Sequence, residues 1–292
     1  EIGTKAEAVY GVKKGDRITV EPYMNCGTCK YCRSGYYQLC ENSHIYGCKK
    51  SCRDEKNLWG AYGYYMYVGP GSHVYKVKDN IPDESAVFSS VVGNGFRMIK
   101  TKGKVKDTDT VVIYGPGALG LCAVIAAKEM NAKQIIVLGL SKDHKRLELA
   151  KEYGATATIM TDKEDPAAVI SNLTDGEMAD VVVECTGASV IYNQAIEITR
   201  KTGTLVLLGL NGKNNPINTD AIIEKELTMK GCSGQPNNCQ DAMDTINSGK
   251  YAIEKMATHR FLVKDADQAL AFAMQPSEDL IRVVMDCNGN EE

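Results

Sequence analysis

The stretch from Thr110 to Met130 restricts what this chain can fold into more than any other. It reads Val111-Val112-Ile113-Tyr114, then Gly115-Pro116-Gly117-Ala118-Leu119-Gly120, then the alanine-rich run Leu121 to Met130. An apolar strand, a G-x-G-x-x-G turn and a helix follow one another without a spacer. The glycines permit a tight turn, close approach of backbone to a pyrophosphate, and close packing of helix on strand. The helix amino terminus then offers unpaired N–H groups and the positive end of its dipole to phosphate oxygens. The glycine pattern alone is a weak signal, and its place between strand and helix makes it a strong one.

The alternation continues beyond this unit. Gln134 to Leu138 reads as a strand, Asp143 to Tyr153 as a helix closed by Gly154, and Thr156 to Met160 as a strand. Asp165 is placed as an N-cap ahead of Pro166 at the first position of a helix reaching about Leu173. Strand Asp180 to Glu184, helix Val190 to Arg200 closed by Gly203, and strand Thr204 to Gly209 complete the series. The pattern predicts an α/β fold built on a doubly wound parallel sheet with helices on both faces. Near-continuous apolar strands such as Val181-Val182-Val183 suit burial on both sides.

Ligands of such sheets lie beyond the carboxyl ends of the strands. Gly115 to Gly120, Gly139, Cys185-Thr186-Gly187 and Leu208-Gly209-Leu210 are therefore expected on one rim as dinucleotide contacts. An NAD site carries an acid about 20 residues past the last glycine, at the end of the second strand, to hold the ribose 2′-OH. Gly139 occupies that place here. Ser141, Lys142 and Arg146 beyond it offer hydrogen bonds and positive charge to a 2′-phosphate, which leans the reading toward NADP over NAD. The competing reading makes Ser141 or Asp143 an N-cap and Lys145 and Arg146 a solvated helix face, with Asp143 as the ribose ligand.

A second constraint is the run Cys26, Cys29, Cys32 and Cys40, spaced C-x2-C-x2-C-x7-C. Four soft thiolates in one short loop match the closed tetrahedral arrangement of structural zinc, which leaves no coordination position for a substrate. An iron–sulfur run would have a three-residue final gap followed by proline, whereas here the gap is seven and Glu41 follows. Eleven cysteines, an odd number and mostly dispersed, argue against a disulfide framework and for a reducing, cytoplasmic setting. Cys48 and Cys52 lie close enough in sequence to be an alternate ligand or a thiol pair, or simply part of a solvated loop.

Charge excludes some partners. The net charge of −3 is spread, with no basic stripe for a nucleic acid, and no run of about 18 apolar residues marks a membrane span. The 292 residues suggest about two domains. The chain opens at Glu1-Ile2-Gly3 without Met and soon reaches a turn and strand over Gly15 to Val20, so it is expected to be the body of a longer protein.

A four-cysteine loop upstream of a dinucleotide-binding half resembles the zinc-containing medium-chain alcohol dehydrogenases, especially the polyol (sorbitol-like) and threonine dehydrogenase branch. The resemblance is carried also by Gly15-Asp16-Arg17-Ile18, Gly60-Ala61-Tyr62-Gly63, Pro82-Asp83-Glu84, Arg146-Leu147-Glu148-Leu149-Ala150-Lys151 and Thr258-His259-Arg260. It implies a GroES-like, β-rich catalytic lobe over residues 1–86, incomplete at its N-terminal side, a Rossmann lobe over 87–235 and a return segment over 236–292. It also implies hydride transfer between a small-molecule alcohol or polyol and NAD(P), a homo-oligomer, and a second, catalytic zinc acting as Lewis acid.

By the same resemblance the first two catalytic ligands fall upstream of Glu1, and the third falls near Ser89-Ser90-Val91. Ser90 is a poor zinc ligand, and His44, His73, His144 and His259 are expected to be surface or internally satisfied residues. The 292-residue chain is thus expected not to oxidise alcohols alone. Two rival classes stay open: a metal-free NADPH-dependent quinone or enoyl reductase, which has no use for the cysteine loop, and a non-catalytic zinc-stabilised nucleotide-binding protein, which Ser90 favours.

Overall fold

A computed structural model describes residues 2–50, 52–275 and 277–287. The chain divides into two compact units, one of residues 1–90 with 236–292 and the other of residues 91–235.

In the first unit the helix Thr4–Tyr10 stops at Gly11, whose left-handed conformation turns its N–H back to the carbonyl of Glu7. The strand β1 (Ile18–Met24) then pairs antiparallel with β2 (His44–Ile45) on one side and β3 (Ser72–Lys76) on the other. The cysteine loop leaves the end of β1. The C-terminal part of this unit docks on the same sheet. Thr19 Oγ1 lies 3.4 Å from Met243 Sδ on the helix Cys239–Ser248, and Asn247 Nδ2 donates to Lys76 O at 3.0 Å. Strands β10 (Ala257–Leu262) and β11 (Arg282–Asp286) run parallel, joined through the helix Ala266–Ala273, with the ring of Phe272 packed at a tilt against His259 and Phe261.

The second unit is a six-stranded, wholly parallel sheet. Its strands are β4 (Thr110–Tyr114), β5 (Gln134–Gly139), β6 (Ala157–Met160), β7 (Ala179–Glu184), β8 (Thr199–Leu207) and β9 (Thr228–Gly231), in the order β6-β5-β4-β7-β8-β9. Chain order reverses between β4 and β7, which opens a crevice beyond their carboxyl ends. Both faces are covered. Val112, Ile136, Leu138, Val182 and Leu205 meet Ile170, Ala195 and Ile196 from the helices Pro166–Leu173 and Ser189–Ile198. The helix Ala118–Glu129 buries every residue from Leu121 to Ala127 completely, which is why its sequence is apolar all round rather than striped.

The doubly wound sheet has the expected element order through β8, to which the helix Thr219–Glu224 and the strand β9 are added, and Asp165 caps its helix, accepting from Ala167 N at 3.1 Å. The boundaries differ most where the helix before β8 ends. The helix expected to run to Arg200 ends at Ile198, and β8 begins at Thr199. Lys225 Nζ donates to the carbonyls of Ile196, Glu197 and Thr199 at 3.1, 2.5 and 3.1 Å, closing the helix end. Arg200 is drawn sideways to Asp180, with Nε 2.5 Å from Oδ1. Gly203 therefore sits inside β8, at a register shift, rather than capping a helix.

Candidate functional site: a glycine-turn rim and a four-cysteine centre

The rim of the 91–235 unit is built around the glycine turn. Gly115 has φ 93°, in the left-handed region where a side chain is strained, and its N–H donates to Leu138 O at 2.9 Å. Gly117 is the N-cap of the helix Ala118–Glu129, in extended conformation, and Leu121 N donates to its carbonyl at 2.9 Å. A Cβ on Gly120 would lie 1.9 Å from Gly115 O, so the helix meets the turn closer than any side chain permits, whereas a Cβ on Gly117 would meet nothing within 4 Å. The turn is thus tight at its base and open where the helix N–H groups face outward.

The neighbouring turns close around it. The ring of Pro116 approaches to 2.9 Å of where a Cβ on Gly139 would stand, and the methyl of Thr186 to 2.6 Å of where one on Gly115 would stand. The turns Cys185–Gly187 and Leu208–Leu210 interlock, since a Cβ on Gly209 would sit 2.0 Å from Gly187 N and one on Gly187 would sit 2.9 Å from the backbone of Leu210. The structure therefore brings Gly115 to Gly120, Gly139, Cys185 to Gly187 and Leu208 to Leu210 together. The Cys185 thiol faces inward, 3.7 Å from Met98 Sδ, and burial pushes its pKa far up, so it stays protonated.

Two acids on this rim escaped the sequence reading. Glu184, fully buried at the end of β7, accepts through Oε1 from Thr186 N at 2.6 Å, from Gly187 N at 2.8 Å and from the Thr186 hydroxyl. Its Oε2 meets no donor among the described residues. The carboxylate pins Thr186 and hence the wall against Gly115. A charged residue closing the apolar run Val181 to Val183 was the available signal. The second acid is Asp162, in the turn after β6, which accepts from Ser141 N at 2.7 Å and Ser141 Oγ at 2.5 Å. Of the residues read as donors to a 2′-phosphate, Ser141 is held by Asp162, Arg146 Nη1 pairs with Asp143 Oδ1 at 2.7 Å, and Lys142 is exposed.

In the first unit the sulfurs of Cys26, Cys29, Cys32 and Cys40 all lie within 4.8 Å of one another. The separations Cys26–Cys32 of 3.9 Å, Cys29–Cys32 of 3.5 Å and Cys26–Cys40 of 3.5 Å match the edge of about 3.8 Å for a tetrahedron with Zn–S near 2.3 Å. They far exceed the length of about 2.05 Å for a disulfide. The loop favours a thiolate at Cys26. Thr28 Oγ1 at 3.5 Å and Cys29 N at 3.4 Å donate to Cys26 Sγ, and these bonds hold its pKa down to about 5. Burial pushes Cys40 up to about 11, so that without a cation this thiol is neutral.

Behind the loop lies a buried polar core. Glu21, 2% exposed, accepts from Tyr37 OH at 2.9 Å and Tyr75 OH at 2.8 Å, and Tyr37 OH in turn accepts from Asn237 N at 3.0 Å. His73 stacks on Tyr37 with centroids 4.6 Å apart, and its Nε2 lies 2.7 Å from Asn25 Oδ1, one residue before Cys26. Among the described residues no second group of three or more histidine, cysteine or acidic ligands converges. Ser90 is half-buried in the helix Ser89–Phe96.

A parallel sheet of this order, a glycine turn at its switch point and a separate four-thiol centre define a zinc-type dehydrogenase architecture. Residues 1–79 match the alcohol dehydrogenase GroES-like domain and residues 118–248 match the zinc-binding dehydrogenase family. The chain is 35% identical over 279 residues to a probable alcohol dehydrogenase of Mycobacterium tuberculosis, covering 92% of this chain and 76% of that one. It is 34% identical over 272 residues to the sorbitol dehydrogenase of Halalkalibacterium halodurans, with the same coverage of 92% and 76%. The crystal structure of an alcohol dehydrogenase from Thermotoga maritima superposes with a TM-score of 0.86 at 28% identity, covering 94% of this chain and 76% of that chain. The chain belongs to the zinc-type medium-chain alcohol dehydrogenase family. No helix among the described residues is long and apolar enough to cross a membrane.

Proposed function

We propose that this chain serves hydride transfer between a small-molecule alcohol or polyol and a nicotinamide dinucleotide, as part of a cytoplasmic homo-oligomer. The observation that carries the reading is the glycine turn at the switch point of the sheet, tight against Gly115 and open at Gly117. In this reading Gly115, Pro116, Gly117, Ala118, Leu119 and Gly120 cradle the pyrophosphate. Gly139, Ser141, Lys142 and Arg146 flank the adenosine ribose, and Cys185-Thr186-Gly187 with Leu208-Gly209-Leu210 border the remainder of the nucleotide. The fit rests on the open space at Gly117 and on the helix N–H groups facing it.

When bound, the nicotinamide supplies the hydride acceptor. The chain's own contribution is binding and orientation. Glu184 anchors Thr186 and Gly187 through three donors, so the wall opposite the glycine turn is rigid before any ligand arrives. The four cysteines fit zinc by donor softness and spacing; such a centre would brace the loop without touching the reaction. A complete catalytic zinc site is not supplied by this chain in our reading. Support comes from Ser90, whose hydroxyl is a poor zinc ligand at the expected third-ligand position.

Metal content of the dialysed 292-residue protein and calorimetric titration with NAD+ and NADP+ test the proposal. One zinc per chain, saturable nucleotide binding and little or no alcohol oxidation are expected. If neither nucleotide binds, the dehydrogenase reading falls. Two zincs per chain or robust turnover would refute the statement about the catalytic metal.

A further inference from the structure

We infer that Asp162 is the residue that decides which dinucleotide the rim accepts, excluding a 2′-phosphate and selecting NAD(H) over NADP(H). The inference rests on the nucleotide reading above and sharpens it.

The strand β5 carries no acid at its carboxyl end. That strand ends at Gly139, where an NAD site usually carries its acid. Gly139 is flanked on one side by the ring of Pro116 from the glycine turn. On the other side, Thr161 N donates to Gly139 O at 2.9 Å and Thr161 Oγ1 lies 3.3 Å from the same oxygen. The turn after β6 is thereby tied to the end of β5, and Asp162, its next residue, stands beside the vacant position. An acid on the neighbouring strand end takes the place that β5 leaves to glycine.

Two of the three residues read for a 2′-phosphate, Ser141 and Arg146, are already engaged by carboxylates. Asp162 accepts both the amide and the hydroxyl of Ser141, at 2.7 and 2.5 Å. Arg146 is held by Asp143 at 2.7 Å, and the other oxygen of Asp143, itself buried, accepts from Leu140 N at 3.0 Å. Lys142 is exposed, and its charge is screened by water. A 2′-phosphate carries a charge of about −1.5 to −2 at neutral pH. To reach Ser141 it would have to displace Asp162 and then lie against it. A ribose hydroxyl faces no such conflict, because a carboxylate accepts at about four lone-pair sites and has room for one more donor. Ser141 and Arg146, which suggested NADP, therefore hold the fold of this turn, and Asp162, the acid that holds Ser141, discriminates.

Calorimetric titration of the whole 292-residue protein with NAD+ and with NADP+, each at low and high salt, tests this. The proteins compared are the parent, Asp162→Asn and Asp162→Ala. The parent is expected to bind NAD+ more tightly by roughly tenfold or more at low salt, the scale of a carboxylate set against a phosphate at near contact, and salt should narrow the gap. Asp162→Asn keeps an acceptor for Ser141 and removes the charge, so the gap should shrink. Asp162→Ala should shrink it further by releasing the two donors of Ser141 to a phosphate. Equal or tighter binding of NADP+ by the parent, or a preference unchanged in both variants, would overturn the role of Asp162 while leaving the nucleotide site standing. Failure of the parent to bind either nucleotide would overturn the site and this inference together.

Discussion

Two alanine substitutions separate what the glycine turn does for folding from what it does for the ligand. In Gly120→Ala the new Cβ would stand 1.9 Å from Gly115 O and 3.1 Å from Gly115 C, where carbon and oxygen ordinarily rest at about 3.3 Å or more. The obstacle is backbone, so the helix start must retreat by more than about 1 Å. Overpacking of this kind costs about 1–3 kcal/mol, offset by up to about 1 kcal/mol from the better helix propensity of alanine. A net loss of about 1–2 kcal/mol lowers the melting midpoint by several degrees. In Gly117→Ala the Cβ would meet nothing within 4 Å, and the backbone, at φ −72° and ψ 179°, already suits alanine. The cost is that of a poorer N-cap, under about 1 kcal/mol. That methyl fills the space assigned to the pyrophosphate and masks its N–H donors, so nucleotide affinity should fall by about tenfold or more. Thermal unfolding followed by circular dichroism and calorimetric titration with NAD+ read the two effects. Unchanged affinity in Gly117→Ala would refute the placement of the pyrophosphate, and an unchanged melt in Gly120→Ala would refute the packing argument.

Two further outcomes follow from the hydrogen-bond chemistry. Tyr37→Phe removes a donor to buried Glu21 and the acceptor of Asn237 N–H; a loss of about 1–3 kcal/mol is expected in urea unfolding, and a change below about 0.5 kcal/mol would show that water replaces the phenol. The preference for NAD+ over NADP+ should narrow as pH falls through about 6, where the 2′-phosphate gains a proton. The hydrogen bonds from Ser141, with a smaller contribution from Lys163, hold the Asp162 carboxyl below the usual carboxylate range. A lowered folded pKa means that its charge persists at and above the ordinary range and is lost only in more acid solution, so the phosphate, not Asp162, titrates between pH 8 and 5. Nucleotide titrations across that range check this, and a preference that widens on acidification would contradict it.

Much of this architecture could be read without coordinates because its signals are local. The turn from Tyr114 to Gly120 carries its own geometry, since each glycine answers a steric demand made within a few residues. The cysteine loop is equally local, with four thiols brought within bonding reach of one ion by 15 consecutive residues, Cys26 to Cys40. Strand and helix order followed from the alternation of apolar runs. The end of the helix Ser189–Ile198 did not, because it is set by Lys225 reaching back over its carbonyls and by Asp180 drawing Arg200 aside. Nor did the helix Thr4–Tyr10, whose short Ala-Glu-Ala-Val stretch follows Gly3, an N-cap with no side chain to announce it. Glu184 showed in sequence only as an acid ending an apolar strand; its three donors are met across a folded turn.

The order of residues alone thus specified a doubly wound sheet with a nucleotide-type glycine turn and a thiolate metal centre, since each depends on near neighbours. Only the tertiary structure decided which polar groups on the rim are still available to a ligand. Ser141 looks like a phosphate donor in isolation, yet its amide and hydroxyl are both given to Asp162, 21 residues further on at the end of the adjacent strand. A hydrogen-bond donor serves the partner that the fold puts next to it, and parallel pairing of β5 with β6, not the local sequence, puts that carboxylate there.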